Sequence, residues 1–130
     1  MKEYNIILSG HDQVCCRSNS FRNLQLLDLV YREFKITNND VINIFVHPSE
    51  WSILYRFHLL LKFGIKRYHS SFQIDLISKS SIVIARMSTV LLEIETSSLD
   101  RAILFDPDLH VSYIRKFPIF DEWEIIANGE

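Results

Sequence analysis

The chain has 130 residues, of which 48% are hydrophobic and 23% are charged, and its formal net charge is −2. This length and hydrophobic content are typical of one domain with its own core, so we expect a single domain over residues 1–130. The small negative charge disfavours a dedicated nucleic-acid-binding protein, which needs an excess of basic residues. No apolar run approaches the roughly 20 residues of a membrane-spanning helix, so we expect no membrane span.

The two cysteines, Cys15 and Cys16, are adjacent in the chain. Neighbouring cysteines do not easily form an unstrained disulfide, and the chain lacks the Cys and His spacing of a zinc site. Residues 1–5 also lack the long apolar core of a signal peptide. We therefore expect a cytoplasmic protein with free thiols and no metal site.

Short apolar runs alternate with helical patterns along the chain. Residues 4–9 and 41–46 are compact apolar runs that predict buried strands. Between them, apolar residues recur at helical spacing over residues 21–34, and Ser20 is a suitable cap for that helix. The remaining predicted elements are a helix at 53–63, a strand at 65–68, a short helix at 72–78, a strand at 82–85, a helix at 90–94 and a strand at 102–105.

The order of these elements predicts the fold. Alternating strands and helices favour a Rossmann-like, doubly wound α/β fold, with a mostly parallel sheet of about five strands and flanking helices. Asp106, Pro107 and Asp108 form a turn by composition and end an α/β core over residues 1–108. Residues 109–130 are rich in aromatic side chains, and we expect them to pack back on the core with a short helix near the end.

Residues 80–104 indicate where a ligand would bind. A strand, a turn, a helix and a second strand follow one another, as a parallel β-α-β crossover requires. Ser88 and Thr89 stand where the helix begins, at the edge of the sheet where ligands bind. Free N–H groups, the helix dipole and two hydroxyls together form a phosphate site. The alternative is that Ser88 only caps the helix.

Three candidate segments follow predicted strands and therefore share one sheet edge: Gly10, His47 and residues 86–89. His47 can donate a hydrogen bond to a phosphate oxygen, and Arg86 can pair with a phosphate through two hydrogen bonds. Glu93, one turn into the helix, can accept hydrogen bonds from ribose hydroxyls. The alternatives are a backbone-bonded strand end for His47 and a solvated helix residue for Glu93.

An apolar strand that ends in His47 and Pro48 is followed by S-I-V-I-A-R-M-S-T-V-L-L-E-I at residues 81–94 and by A-I-L-F-D-P-D at residues 102–108. Over about residues 41–113, this arrangement resembles the donor-binding, C-terminal half of GT-B glycosyltransferases. It looks like the half found in bacterial surface-polysaccharide enzymes, namely sialyl- and polysialyltransferases and CDP-glycerol glycerophosphotransferases.

This resemblance implies roles for individual residues. In those families the His-Pro histidine and the paired hydroxyls contact the phosphate of the donor, which would assign that role to His47, Ser88 and Thr89. A glutamate inside the same helix often holds the ribose, which would assign that role to Glu93. The resemblance implies a nucleotide-activated sugar or alcohol of CMP, CDP or UDP type as a substrate, and no cofactor.

A complete GT-B enzyme has two such domains, whereas 130 residues have room for one. The resemblance therefore implies the donor-binding half of a polysaccharide-synthesis enzyme, with catalysis dependent on a second domain or an acceptor-domain polypeptide. The sequence identifies no catalytic residue. We expect little turnover by the chain alone, and a cytoplasmic location that is peripheral at the inner membrane through such a partner.

Two other interpretations remain open. A non-catalytic α/β protein-interaction domain would use its apolar tail to bind a partner, and would expose Tyr113, Phe117, Phe120 and Trp123 as one patch. A receiver-like domain is disfavoured because Asp12 alone does not supply the cluster of acidic residues that such a domain needs.

Overall fold

The computed structural model describes residues 2–8, 16–37, 39–46, 68–69 and 73–129, with the backbone alone at 16–22, 68 and 89. These residues contain six strands: β1 (Glu3–Ile7), β2 (Val41–Phe45), β3 (Tyr68–His69), β4 (Ile82–Ala85), β5 (Arg101–His110) and β6 (Glu124–Asn128). They also contain the α-helices α1 (Cys16–Phe34) and α2 (Val111–Ile114). The 3-10 helices are η1 (Ile74–Leu76), η2 (Thr89–Glu93), η3 (Thr96–Ser98) and η4 (Pro118–Phe120).

The six described strands form one sheet in the order β3-β2-β1-β4-β5-β6. Every neighbouring pair in it is parallel. The chain first adds strands on one side of β1 and then returns to add β4, β5 and β6 on the other side. This reversal defines a doubly wound sheet, so the predicted Rossmann-like α/β fold is confirmed. The sheet has six strands where about five were expected, and β3 has only two residues.

Each face of the sheet carries its own hydrophobic core, because successive side chains of a strand point to opposite faces. On the face that we call the first face, strand residues pack against α1. The buried α1 residues there are Leu26, Leu27 and Val30. On the second face, shorter elements cover the sheet. Their buried side chains are Leu91, Ile94, Ile114, Phe120 and Trp123.

A row of buried polar side chains crosses the three central strands on the second face. The Asn43 amide donates to Asn5 Oδ1 at 3.1 Å, and the Asn5 amide donates to Ser81 Oγ at 3.0 Å. The Ser81 hydroxyl in turn donates to the Ser78 carbonyl oxygen at 2.7 Å. Because a shift of one residue would move these groups into an apolar layer, the row fixes the register of β2, β1 and β4.

Helix α1 covers the first face and is longer than the pattern predicted. It begins at Cys16, so Ser20 lies inside the helix and is not its cap. It ends at Phe34, whose ring contacts the Tyr4 ring edge to face at a centroid distance of 5.5 Å. Lys35 then takes a positive φ of 48°, which is typical of the residue that ends a helix.

The C-terminal segment differs from the expectation. Its helix, α2, has four residues and opens the segment, while the end of the segment forms β6, parallel to β5. Residues 124–128 form a strand because alternate side chains, Ile125 and Ala127, pack on the second-face core. Gly129 then has a φ of +71°, which favours glycine, and a Cβ there would lie 2.6 Å from His110 Nε2, so a side chain at 129 would have to displace that ring.

The turn expected at Asp106, Pro107 and Asp108 is wrong, because β5 continues through these residues to His110. Proline lacks an N–H for the ladder and is accepted in strands at irregular positions. Such an irregularity is present, since the pairing of β5 with β6 shifts register between Asp106 and His110.

Two other predicted helices are 3-10 helices in the structure. The helix expected at 72–78 is η1, and the helix expected at 90–94 is η2. The predicted helix at 53–63 lies outside the described residues, as does the strand predicted at 65–68 apart from its last residue. Among the helices that the structure describes, none is both long and apolar enough to cross a membrane.

The carboxylate of Asp40 joins the start of β1 to the turn before β2. Its Oδ1 accepts from the Lys2 N–H at 3.0 Å, and its Oδ2 accepts from the Thr37 N–H at 3.0 Å. These backbone hydrogen bonds, that of Thr37 first, hold the pKa of Asp40 below its usual value.

We predict that Asp40 makes folding stability depend on pH in the acid range. A lowered pKa adds stability that is present above the unfolded pKa, about 3.9, and is lost as the pH falls through the folded value. Urea unfolding at a series of pH values should therefore show a smaller acid loss for Asp40→Asn than for the wild type. Equal losses would show that the Asp40 hydrogen bonds do not contribute to acid stability.

Candidate functional site

The carboxyl ends of three adjacent strands form the candidate site. Ile7, the last residue of β1, pairs with Phe45 of β2 and Ala85 of β4. The backbone hydrogen bonds continue one residue further. The Leu8 N–H donates to the Phe45 carbonyl oxygen, and the Arg86 N–H donates to the Ile7 carbonyl oxygen, both at 3.0 Å. The strand order changes direction between β1 and β4, and doubly wound sheets bind ligands at such a point.

The predicted site residues are only partly described. Gly10 and His47 lie outside the described residues, as does the Thr89 side chain. The residues that lead to them are placed: Val46 directly precedes His47, and its N–H donates to the His69 carbonyl oxygen at 2.8 Å. Leu8 and Val46 are both buried at this edge. The strand ends that carry the predicted segments are therefore adjacent.

Arg86 is buried at the end of β4, with a residue exposure of 3%. Its Nη2 lies 3.3 Å from Asp106 Oδ1 and 4.0 Å from Asp108 Oδ2. Its Nη1 donates to Oδ1 of Asn23, on α1, at 3.5 Å. The other oxygen of Asp106 accepts from the Met87 N–H at 3.2 Å. We call Arg86, Asp106 and Asn23 the edge cluster.

The edge cluster determines what Arg86 can do. A phosphate could reach the buried guanidinium only by competing with Asp106, and Asp108, whose side chain is 36% exposed, adds negative charge nearby. Direct pairing of Arg86 with a phosphate therefore stays a prediction. What the contacts support is a positioning role, because Arg86 and Asp106 together fix the chain where β4 leads into η2.

Ser88 caps η2, which was the alternative that the sequence left open. Its backbone is extended, with φ −159° and ψ 152°, and its Oγ accepts from the Val90 N–H at 3.4 Å. The side chain is half-buried, and its hydroxyl proton can still be donated to a ligand. Glu93, the last residue of η2, is exposed, which leaves both of its predicted roles open.

Sequence reasoning missed Asp106 and Asn23. Asp106 was assigned to a turn, although it follows an apolar run just as Arg86 does. Two strands that lie side by side bring such residues together, so opposite charges at the ends of consecutive parallel strands are a usable signal. Asn23 gave no comparable signal, because a buried asparagine on a helix has no pattern of its own.

A cleft of about 240 Å³ lies at the opposite, amino edge of the sheet. Lys2, Glu3, Lys79 and Asp100 line it, so both signs of charge are present. We favour the carboxyl edge as the ligand site because open α/β sheets bind ligands outside the carboxyl ends of their strands, at the point where the winding reverses. Within the described part of the chain, no group of three or more His, Cys, Asp or Glu side chains could hold a metal ion.

Comparisons with protein-family models, with curated proteins and with solved structures gave no match for this chain.

We predict that Arg86 and Asp106 are strongly coupled in stability. Arg86→Met leaves a buried carboxylate without its cation, and losses of this kind are about 3 to 5 kcal/mol. In urea unfolding, the double variant Arg86→Met/Asp106→Leu should lose less than the sum of the two single variants, because it removes both charges. Strictly additive losses would show that the pair is not coupled.

The exposed pair Arg101 and Glu124 is a matched control. Its two hydrogen bonds, of 2.9 and 2.8 Å, are shorter than those of Arg86, but its side chains are 44% and 53% exposed. Water screens such a pair, so Arg101→Met should cost at most about 1 kcal/mol. A similar loss for Arg86→Met and Arg101→Met would contradict a special role for the buried pair.

Proposed function

We propose that the chain is the donor-nucleotide-binding half of a GT-B-type glycosyltransferase or glycerophosphotransferase of bacterial surface-polysaccharide synthesis. The strand order carries the proposal. It makes the carboxyl ends of β2, β1 and β4 neighbours at the point where the winding reverses. In this function the phosphates of a CMP-, CDP- or UDP-activated sugar or alcohol bind at that edge.

The chemistry at the edge suits a phosphate that takes hydrogen bonds from uncharged donors. Ser88 presents a hydroxyl at the start of η2, and this hydroxyl can donate to a phosphate oxygen. Under this proposal His47 and Thr89 add further donors, Gly10 allows the backbone to approach the ligand closely, and Glu93 binds the ribose. The edge cluster supplies rigidity, which lowers the entropy cost of binding.

We assign no catalytic residue to this chain. The acceptor and its general base would come from a second domain or a separate polypeptide, and the chain alone would bind the donor with little turnover. Because such donors are consumed in the cytoplasm, the proposal includes a cytoplasmic location, peripheral at the inner membrane through that partner.

The second candidate function is a non-catalytic protein-interaction domain. One observation favours it: Tyr113 and Phe117 are 46% and 40% exposed and contact each other edge to face. The other two aromatic residues of the segment, Phe120 and Trp123, are buried. The tail therefore exposes two of the four side chains that this interpretation expected.

We predict that one of CMP, CDP and UDP binds the protein, as measured by calorimetry or by ligand-induced chemical shifts. His47→Ala and Ser88→Ala should each weaken binding about tenfold, or about 1.4 kcal/mol, which is ordinary for a hydrogen bond to a charged group. Ser97→Ala is the matched control, since its hydroxyl is exposed and donates to Glu95.

A further variant separates capping from binding. Aspartate caps a helix about as well as serine, so Ser88→Asp should keep the wild-type thermal stability. Its carboxylate would repel a phosphate, so nucleotide binding should be lost. If Ser88→Asp binds as the wild type does, Ser88 is a cap alone and the phosphate lies elsewhere. If no nucleotide binds at millimolar concentration, the interaction-domain candidate is favoured.

A further inference from the structure

One edge of the sheet is open for pairing with a further strand. The outermost described strands, β3 and β6, each have one neighbour among the strands that the structure describes. β3 has two residues, whereas β6 has five. In a parallel pair only alternate residues of a strand bond to the neighbour, so the other residues of β6 direct their N–H and C=O groups away from β5. A row of such groups is a template for pairing with another chain.

β6 lacks the features that usually prevent an edge strand from pairing, which are proline, lysine, a bulge or a very short strand. Its sequence, E-I-I-A-N, contains neither proline nor lysine. Its one charged residue, Glu124, is hydrogen-bonded to Arg101 of β5. The irregularity in the pairing of β5 with β6 lies in β5, between Asp106 and His110, and leaves β6 continuous. β6 is therefore an unprotected edge.

The side chains of β6 that point to the first face are all exposed. Ile126 pairs with Phe105, which belongs to the first-face core. Because the side chains of a strand alternate between the two faces, Glu124, Ile126 and Asn128 share that face. All three are exposed, Ile126 by 42%, while the other two residues of β6 pack on the second-face core. A strand beside β6 would bury the exposed isoleucine at its centre.

We propose that β6 pairs in antiparallel orientation with β6 of a second copy of this chain, so that the two sheets join into one. The twofold axis is perpendicular to the sheet and passes beside Ile126, and it keeps the first faces of both copies on the same side. This register pairs all five residues of each strand. Residues 124, 125 and 126 of one copy lie opposite residues 128, 127 and 126 of the other.

The sequence of β6 is self-complementary in this register. Glu124 lies opposite Asn128 of the partner subunit, and an asparagine amide can donate a hydrogen bond to a carboxylate. Ile126 contacts its own counterpart on the axis, and Ile125 lies opposite Ala127 on the second face, so apolar side chains meet apolar side chains. The two Glu124 side chains lie at opposite ends of the paired strands, roughly 14 Å apart. A second copy therefore fits this edge without placing like charges opposite one another.

The length of β6 determines how stable such a dimer can be. A strand of five residues is about 17 Å long, so its edge covers much less than the roughly 800 Å² that each partner of a standard interface buries. Backbone hydrogen bonds along the edge add specificity for an extended strand. We therefore expect a weak dimer whose population depends on the protein concentration.

Sedimentation velocity over a range of protein concentrations tests the proposal. The wild type should show a monomer–dimer equilibrium. Ile126→Lys should raise the dimer dissociation constant at least about tenfold, because it places two ammonium groups opposite each other on the axis. Ile74→Lys is the matched control: Ile74 is 41% exposed and lies on η1, between β3 and β4 in the chain, so this change should leave the dimer intact. Circular dichroism confirms that each variant is folded.

Cross-linking tests the register in a background without the native thiols, Cys15→Ser/Cys16→Ser. Residues directly opposite one another in an antiparallel pair have Cβ atoms about 5 Å apart, close to the distance that a disulfide requires. Ile126→Cys should therefore give a disulfide-linked dimer under mild oxidation. Glu124→Cys, on the same face of the same strand, should not, because its two copies lie roughly 14 Å apart.

Three outcomes would overturn the proposal. The first is a wild type that stays monomeric at every concentration, which would leave the edge to a strand of a different protein. The second is a dimer that Ile126→Lys and Ile74→Lys weaken equally, or that neither weakens. The third is equal cross-linking of the two cysteine variants, which would show another register or another interface. Nucleotide binding is measured separately and does not enter this test.

Discussion

The carboxyl edge of the sheet depends on one buried ion pair, that of Arg86 and Asp106. Moving two charges out of water costs several kcal/mol for each, and only close pairing and full hydrogen bonding offset this cost. Asp106 accepts from Arg86 at 3.3 Å with one oxygen and from the Met87 N–H at 3.2 Å with the other. These contacts connect the ends of β4 and β5. The hydrogen bond from Arg86 to Asn23 also connects them to α1.

The row of buried polar side chains fixes the amino half of the sheet, as the ion pair fixes the carboxyl half. Asn5, Asn43 and Ser81 must stay opposite one another, since each would otherwise lose its partner inside an apolar layer. The central strands are therefore pinned near both ends by polar contacts, while apolar packing on the two faces supplies the bulk of the stability. Such a frame keeps the edge in place before a ligand arrives, so little binding energy is needed to order it.

The central strands and α1 could be predicted from the sequence because their apolar spacing is strong and local. The tail could not, since β6 becomes a strand only through its pairing with β5, which local periodicity does not show. For the same reason Asp106 was assigned to a turn: its composition suits a turn, and only the neighbouring strand reveals it as the partner of Arg86. The 3-10 form of η2 was also missed, because Ser88 caps a 3-10 helix as readily as an α-helix. His47 and Gly10 were located by the pattern alone and stay predictions.

The short elements of the second face bear on both candidate functions. A five-residue 3-10 helix has little dipole, so at η2 a phosphate would depend on individual N–H and hydroxyl donors and not on a helix field. The short elements also leave apolar side chains exposed, because one turn of 3-10 helix covers less apolar surface than a long amphipathic helix does. These short elements therefore leave apolar side chains exposed, as the interaction-domain candidate expects, and they make the candidate ligand site a set of individual hydrogen bonds.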